Sequence, residues 1–209
     1  MYVPRHNRLD DRDQLLAFIR RYSFGTLVTM LDGAPFATHL PFMVDVESGE
    51  FVLKAHLARA NPQWKSFGNG DALAIFTGPH AYVSASWYEK PDVPTWNYTA
   101  VHALGRPRIV NDLEETLELG RRLSELHEET LPPQPMPHWR TDVLDPEYRD
   151  AMLHAIVAFE IPVTKLEGKY KLSQNRSETD RRSVVRMLER FEDPAAREVA
   201  TLMKATLEG

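Results

Sequence analysis

The chain has 209 residues, of which 43% are hydrophobic and 26% charged, a composition typical of a globular protein with a sizeable core. It contains no cysteine, which excludes disulfides, thiolate metal sites and cysteine nucleophiles. Its net charge of −5 repels phosphate, so nucleic acid could bind only at a local basic patch. No apolar run approaches the ~20 residues that cross a membrane, and the N-terminal residues lack the apolar segment of a secretory signal. We therefore expect a cytoplasmic protein without membrane contact.

The N-terminal part of the chain is predicted to form one helix and then three strands. An aspartate at position 10 or 11 can cap a helix over residues 12–22. Strands over residues 24–31 and 35–44 flank Asp32-Gly33, a strong hairpin signal, and Pro41 indicates a strand end, an edge or a bulge. The third strand is expected over residues 51–57.

A short helix is predicted to begin directly after this third strand. Asn61 is a favourable N-cap and Pro62 fits the first helical position. The free N–H groups of such a start, together with the neighbouring Arg59, would suit a phosphate monoester. The alternative is that Asn61-Pro62 only begins a helix and that Arg59 is solvated.

Three further strands are predicted over residues 71–76, 81–87 and 95–110. Along the last of them Trp96, Tyr98, Ala100 and His102 share a face by alternation, and neither face is clearly polar. One face would therefore meet the core and the other a ligand or a second subunit. Six strands joined mainly by short turns favour a small antiparallel barrel over a βαβ sheet.

The rest of the chain is predicted to be mainly helical. Asn111 or Asp112 caps a helix that reaches about residue 129, four closely spaced prolines form an extended connector, and Asp145-Pro146 begins the next helix. A strand over residues 158–166 follows. Ser177 and Asp180 resemble a capping box that opens two last helices, over residues 178–191 and 194–207.

Residues 55–102 are rich in large rings that carry polar atoms. Buried Tyr or His atoms left unpaired would each cost roughly 1–3 kcal/mol, so these atoms are either paired internally or face a ligand. We favour a flat ligand. The side chains concerned are Trp64, Trp87, Trp96, Tyr82, Tyr88, Tyr98, His56, His80 and His102.

Several classes of enzyme lack their motifs in this chain. The spacing of His39, His56, His80 and His102 fits no local metal motif such as HExxH, so we expect no metal site. The chain has no GxSxG elbow, no GxGxxG and no P-loop, which leaves a serine hydrolase, a dinucleotide and a nucleoside triphosphate unsupported.

Residues 165–190 form a basic stretch, which contains eight basic and four acidic side chains. We favour a solvated helical face as its explanation. A phosphate-bearing ligand near Lys171 and Arg176 is the second explanation and DNA the third, because no helix-turn-helix is evident.

Several segments, in the same order, resemble the PaiB family of FMN-binding negative transcriptional regulators, within the flavin-binding split-barrel superfamily. The resemblance covers essentially the whole chain. It departs from the family pattern at Ala85, where a proline is common, and at the short link over residues 89–92. The segments are HLARANPQW from His56, GPHAYVS from Gly78, SWY from Ser86, VPTWNY from Val93, AVH from Ala100 and KLSQNR from Lys171.

The resemblance implies a fold, an assembly and a cofactor. The fold would be α+β, an antiparallel split β-barrel of about six or seven strands with peripheral helices and a helical C-terminus. Residues 1–209 would form a single FMN-binding domain, with 177–209 as a C-terminal helical extension. The protein would be a homodimer with FMN near the subunit interface.

The resemblance also assigns site residues. The phosphate and ribityl chain would be held by His56, Ala58, Arg59 and Asn61, and Thr38, His39 and Leu40 would lie along the isoalloxazine ring. Trp96, Asn97 and Tyr98 would line the wall near the ring. Further polar contacts, from the same or the second subunit, would come from Lys171, Ser173, Gln174, Asn175 and Arg176.

Two functions follow from the resemblance. In the first, a flavin-bound dimer regulates transcription through contact with DNA or a partner protein. In the second, the chain is an FMN-dependent oxidoreductase of the split-barrel type, with His39, Tyr98 and His102 as polar groups near the ring.

Overall fold

The computed structural model describes residues 1–208 and shows an antiparallel, curled sheet with α-helices. The helices are α1 (Arg12–Arg21), α2 (Leu113–Glu128), α3 (Pro146–His154), α4 (Glu178–Leu188) and α5 (Pro194–Glu208). The strands are β1 (Arg8–Leu9), β2 (Phe24–Leu31), β3 (Ala34–Pro41), β4 (Met43–Glu47), β5 (Glu50–Ala58), β6 (Ala72–Val83), β7 (Thr95–Gly105), β8 (Arg108–Ile109) and β9 (Ile156–Lys171).

The strand order is β3-β2-β6-β7-β9-β5-β4, and β1 and β8 each pair with β9. The β2–β3 hairpin aligns Thr26 with His39, and β5 aligns Ala55 with Phe159 of β9. Seven strands on the main path and α-helices outside it confirm the α+β antiparallel split barrel.

The chain divides into two compact units. Unit 1 comprises residues 1–22, 76–102 and the chain from Glu167 onward, and unit 2 comprises residues 23–75 and 103–166. Strands β6, β7 and β9 each run through both units. The single FMN-binding domain over 1–209, with 177–209 as its extension, stays a prediction.

In unit 1, α4 and α5 supply much of the core. Val184, Leu188, Val199 and Met203 lie in a buried cluster that also contains Val83 at the end of β6. Because α4 and α5 place buried apolar side chains three or four residues apart in this cluster, both helices are held by packing.

In unit 2, aromatic and aliphatic side chains from the sheet form the core. Phe42 and Phe159 meet edge to face with centroids 6.5 Å apart, and Leu53 and Ile161 are fully buried. Leu119 and Leu123 of α2 pack in a second cluster of the same unit. This packing fixes the ends of β3 and β5, where many of the predicted site residues lie.

The predicted helix starts are confirmed at four positions. Asp11, Asp112, Asp145 and Ser177 each accept a backbone N–H of the first turn that they cap. The Asp32-Gly33 hairpin is also confirmed, since both residues have positive φ, at 51° and 80°.

Three predicted strand boundaries were wrong. Residues 71–76 and 81–87 form a single strand that ends at Val83, because Pro79 is accommodated inside it, and residues 85–87 form a 3₁₀ helix. The strand predicted over 95–110 ends at Gly105, just before Pro107, and β8 follows as a separate strand. The strand predicted over 35–44 stops at Pro41, as that proline indicated.

Within residues 1–208, no helix combines the length and the apolar character that crossing a membrane requires.

Candidate cofactor site

The first group of predicted site residues lies in unit 2, at the ends of β3 and β5. The amide nitrogen of Asn61 donates to Thr38 Oγ1 at 2.9 Å, and its amide oxygen accepts the backbone N–H of Gln63 at 3.0 Å. One side chain therefore joins β3 to the segment that follows β5. His39, next to Thr38, is exposed, and its Nδ1 lies 2.9 Å from Thr26 Oγ1.

Arg59 lies in the same group, but its guanidinium is directed at the end of α3. Nε donates to the carbonyl of His154 and Nη2 to that of Ile156, both at 2.7 Å. The carbonyl of His154, the last residue of α3, has no partner within the helix, so a cation that binds it is stabilising. Arg59 is exposed, and its Nη1 makes no hydrogen bond to any residue in the described part of the chain.

His56 is mostly shielded from water and carries an unpaired atom. Its Nδ1 is buried without a hydrogen-bond partner among residues 1–208, and burial lowers the pKa of the imidazole below 6.5. The side chain is therefore neutral at pH 7 and has one ring nitrogen without a hydrogen-bond partner in the described part of the chain. Of the other predicted residues here, Ala58 is exposed and the Leu40 side chain is buried in the core.

Gln63, which was not among the predicted site residues, is buried and forms hydrogen bonds to β2 and β3. Its amide nitrogen donates to the carbonyls of Leu27 and Phe36, each at 3.1 Å, and lies 3.2 Å from Thr29 Oγ1. These bonds hold the short 3₁₀ helix Pro62–Ser66 on β2 and β3. No local sequence signal reveals Gln63, because its partners lie 27 to 36 residues away.

The predicted short helix after Asn61 is present. It is a five-residue 3₁₀ helix, and the N–H of Gln63 is already taken by the Asn61 side chain. Its start therefore offers fewer free N–H groups than the predicted anion site required. Side chains, rather than a helix terminus, supply most donors at this place.

The second group of predicted site residues lies in unit 1, where β7 and the turn after β9 meet. Asn97 is fully buried, and its amide exchanges hydrogen bonds with the Ser173 hydroxyl at 3.0 and 3.1 Å. The Asn97 amide nitrogen also lies 3.3 Å from Met203 Sδ on α5. Because Ser173 has a φ of 62°, this buried pair holds a strained turn in place.

The same turn presents two charged side chains in different surroundings. Lys171 donates to the carbonyl of Trp96 at 2.8 Å and to Thr95 Oγ1, and burial, Lys169 and Arg176 lower its pKa. Arg176 forms an ion pair with Asp92 and lies 4.8 Å from the centre of the Tyr88 ring.

The two amides of this turn also differ. Gln174 is used internally, since its side chain accepts from Leu172 N at 2.7 Å and donates to the carbonyl of Tyr170 at 2.5 Å. Asn175 is exposed and available to a ligand.

Aromatic rings line the open face of β6 and β7 in unit 1. Trp96 is 53% exposed and Tyr82 is 47% exposed, and their rings meet at 71° with centroids 5.9 Å apart. His80 lies 6.1 Å from the Trp96 ring. Tyr98, on the same face as Trp96, is half-buried, and the ammonium of Lys169 lies 5.1 Å from its ring centre.

The structure links several predicted residues and leaves others apart. Hydrogen bonds join Thr38 to Asn61, Asn97 to Ser173, and Lys171 to Trp96. The guanidinium groups of Arg59 and Arg176 bond only to residues that were not predicted. No group of three or more side chains suited to holding a metal ion occurs within residues 1–208.

The split-barrel fold, with cationic side chains and exposed rings at strand ends, defines a class of flavin-binding proteins. The family model described as "Putative FMN-binding domain" matches residues 1–165, so the chain belongs to this family, whose cofactor is FMN. The chain is also 39% identical over 210 residues to "Protease synthase and sporulation protein PAI 2" of Bacillus subtilis, covering 99% of this chain and 98% of that protein. These matches confirm the resemblance to the PaiB family.

Solved structures support the fold. The flavocytochrome Anf3 of Azotobacter vinelandii superimposes with a TM-score of 0.59 at 16% identity, over 81% of this chain and 72% of that one. The FAD and heme binding protein of Mycobacterium smegmatis superimposes with a TM-score of 0.55 at 15% identity, over 79% and 73%. At these identities the similarity concerns the fold alone.

Proposed function

We propose that this chain is a homodimeric, FMN-binding regulator of the PaiB type. The observation that carries the proposal is the set of donors at the ends of β3 and β5, joined by the hydrogen bond between Asn61 and Thr38. The 39% identity to the Bacillus subtilis protein over nearly the whole chain supports the same class. Cytoplasmic location and dimerisation belong to the proposal.

The first group fits the phosphate end of FMN. Arg59 brings a fixed charge and a free Nη1, and the His56 ring has an unpaired buried nitrogen that a phosphate oxygen would satisfy. A neutral imidazole can give one hydrogen bond to phosphate through its protonated nitrogen. Thr38, His39 and Leu40, along β3, would lie along the isoalloxazine ring of the same ligand.

In this proposal the second group contacts a flavin ring, either in its own subunit or in the second one. Trp96 and Tyr98 offer apolar faces, and Lys171 and Asn175 offer donors to the polar edge of a flavin. The buried pair Asn97–Ser173 acts by fixing the turn that carries Lys171. Gln174 stabilises the turn from within, and Arg176 is available only if its ion pair with Asp92 opens.

The phosphate assignment is tested by comparing FMN with riboflavin, which lacks the phosphate. Arg59→Ala should weaken FMN binding about ten- to a hundredfold, since a hydrogen bond to a charged group contributes roughly 1.5–3 kcal/mol. Riboflavin binding should change little in the same variant. Arg20→Ala is the matched control, because Arg20 is an exposed arginine on α1. Equal losses for FMN and riboflavin would contradict the assignment.

Regulation would follow from a change in DNA or protein contact when the flavin binds or changes its redox state. FMN supplies one- and two-electron chemistry, and the protein's residues only bind and tune it. The basic stretch gives DNA limited support, because Arg182 is paired with Glu178 and Arg176 with Asp92. Arg186 is exposed and has no such acidic partner within residues 1–208.

Dimerisation and DNA binding have separate tests. Sedimentation velocity with and without FMN measures the assembly, and a dimer mass is expected. Salt-dependent binding of a labelled promoter fragment, with and without FMN, measures DNA contact, and Arg186→Ala should weaken it. Absence of DNA binding at low salt in both forms, together with the absence of a protein partner, would refute the regulatory role.

An oxidoreductase is the second candidate, favoured by the open aromatic face. The exposed Trp96 and Tyr82 rings leave room for a flat substrate beside a flavin. In that case NADH or NADPH should bleach the bound flavin rapidly without oxygen, and an added acceptor should restore its colour. Failure of both steps would count against an enzyme.

A further inference from the structure

A groove of about 620 Å³ lies between the end of α2 and the proline-rich connector of unit 2. The lining includes Glu125, Glu128 and Glu129 together with Leu131, Trp139 and Arg140. We call this surface the acidic groove. Cavities of roughly 300–1,000 Å³ are large enough to enclose a ligand or several side chains.

The carboxylates of the acidic groove differ in whether another residue of the chain binds them. Glu125 is held by Arg121 at 2.6 Å, and Glu128 accepts the backbone N–H of Trp139 at 3.0 Å. The side chain of Glu129 has neither a hydrogen bond nor an ion pair with another residue of the described chain. The Glu129 carboxylate therefore has no cation of residues 1–208 bonded to it, because Arg140, which also lines the groove, is paired with Asp142.

Apolar side chains at the groove are also uncovered. Trp139 is 40% exposed and Leu131 is 42% exposed, and Met136 of the same connector is 69% exposed. Exposed apolar groups rimmed by polar ones are typical of protein interaction sites. A single aromatic side chain can bury about 150–250 Å² when a partner covers it.

The net charge of the residues around the acidic groove indicates which kind of ligand it can bind. Residues 125–150 contain seven acidic side chains and two arginines, a net charge of −5, which equals the net charge of the whole chain. This field repels nucleic acid and acidic peptides and attracts cations. A Lys or Arg side chain could contact the Trp139 ring through its charge while a carboxylate balances it.

We propose that the acidic groove docks a basic, amphipathic segment of a partner protein, with a Lys or Arg side chain against Trp139 and Glu129 and apolar side chains on Leu131. A bare metal ion does not fit, because no three side chains of residues 1–208, the groove glutamates included, are grouped to hold one. The docking is independent of FMN, so it stands or falls separately from the proposed function.

The test uses a rhodamine-labelled peptide of alternating Leu and Lys clusters, whose emission is separate from that of flavin. Fluorescence anisotropy with the full chain, with and without added FMN, measures its affinity. Trp139→Ala should weaken binding about five- to tenfold and Glu129→Gln about threefold, and added salt should weaken it further. Phe24→Ala and Glu192→Gln are the matched controls, since both residues are exposed and neither lines the groove.

Three results would overturn the proposal. The first is unchanged peptide affinity in both groove variants. The second is equal affinity for a peptide with Glu in place of Lys. The third is a change from dimer to monomer in Trp139→Ala by sedimentation velocity, which would assign the groove to a contact between copies of this chain. A failure to bind FMN with normal peptide binding would refute the proposed function alone.

Discussion

Removal of the Asn97 amide tests how the turn after β9 is held. Asn97 is fully buried and makes two hydrogen bonds to the Ser173 hydroxyl, which is 4% exposed. Asn97→Ala would leave that hydroxyl buried without its partner. The same substitution would remove the contact with Met203 Sδ and leave a small cavity.

The expected loss of stability is about 2–3 kcal/mol, since an orphaned buried polar group costs roughly 1–3 kcal/mol and the cavity adds to it. For a chain of this size, about 1 kcal/mol lowers Tm by roughly 2–4 °C, so Tm should fall by about 4–12 °C. Ser173→Ala should cost a similar amount, because it orphans the Asn97 amide.

Urea unfolding of both single variants and of the double variant measures the coupling. We expect a coupling energy of about 0.5–3 kcal/mol, with the double variant less destabilised than the sum of the singles. Additive losses would refute the inference that these two side chains act as one buried pair. Single losses near zero would refute it as well.

Other substitutions and a change of pH test separate features. Gly105→Ala should destabilise by about 1–3 kcal/mol in urea, because its Cβ would collide with the carbonyl of Pro162 and with the Ile161 side chain. Gly120→Ala, inside α2 and with nothing within 4 Å of the added Cβ, should instead stabilise by roughly 0.5–1 kcal/mol, and a loss there would contradict the helix environment. Burial lowers the pKa of His56 below 6.5, so the unfolded chain binds the proton more readily and stability should fall as pH drops below about 6.5. In His56→Gln this decrease between pH 7.5 and 5.5 should be smaller, and an identical pH profile would show that His56 is not desolvated.

Local signals predicted the elements whose cause is local. The caps at Asp11, Asp112, Asp145 and Ser177 and the Asp32-Gly33 turn depend on side chains within a few residues. The fold class followed from the resemblance and from short turns between strands. The strand limits near Pro79 and Pro107 were less predictable. Proline has no backbone N–H, and whether a strand can continue through it depends on whether the neighbouring strand needs that hydrogen bond.

The contacts of the candidate site depend on residues far apart in the chain. Arg59 binds carbonyls 95 and 97 positions away, and Arg176 binds Asp92, which lies 84 positions away. The helix start at Asn61 and the family resemblance marked Arg59, and the basic stretch and the same resemblance marked Arg176. Neither signal contains the distant partners that the guanidinium groups have in the folded chain. Gln63 was missed for the same reason, since its acceptors on β2 and β3 become neighbours only in the folded chain.

The central claim is that this chain binds FMN, and the visible absorption spectrum of the purified protein tests it most directly. The protein would be incubated with FMN, desalted and compared with Arg59→Ala at a temperature where circular dichroism shows both to be folded. We expect a yellow wild type with a flavin band and a variant that loses flavin during desalting. A folded wild type that stays colourless after incubation with FMN would contradict the account.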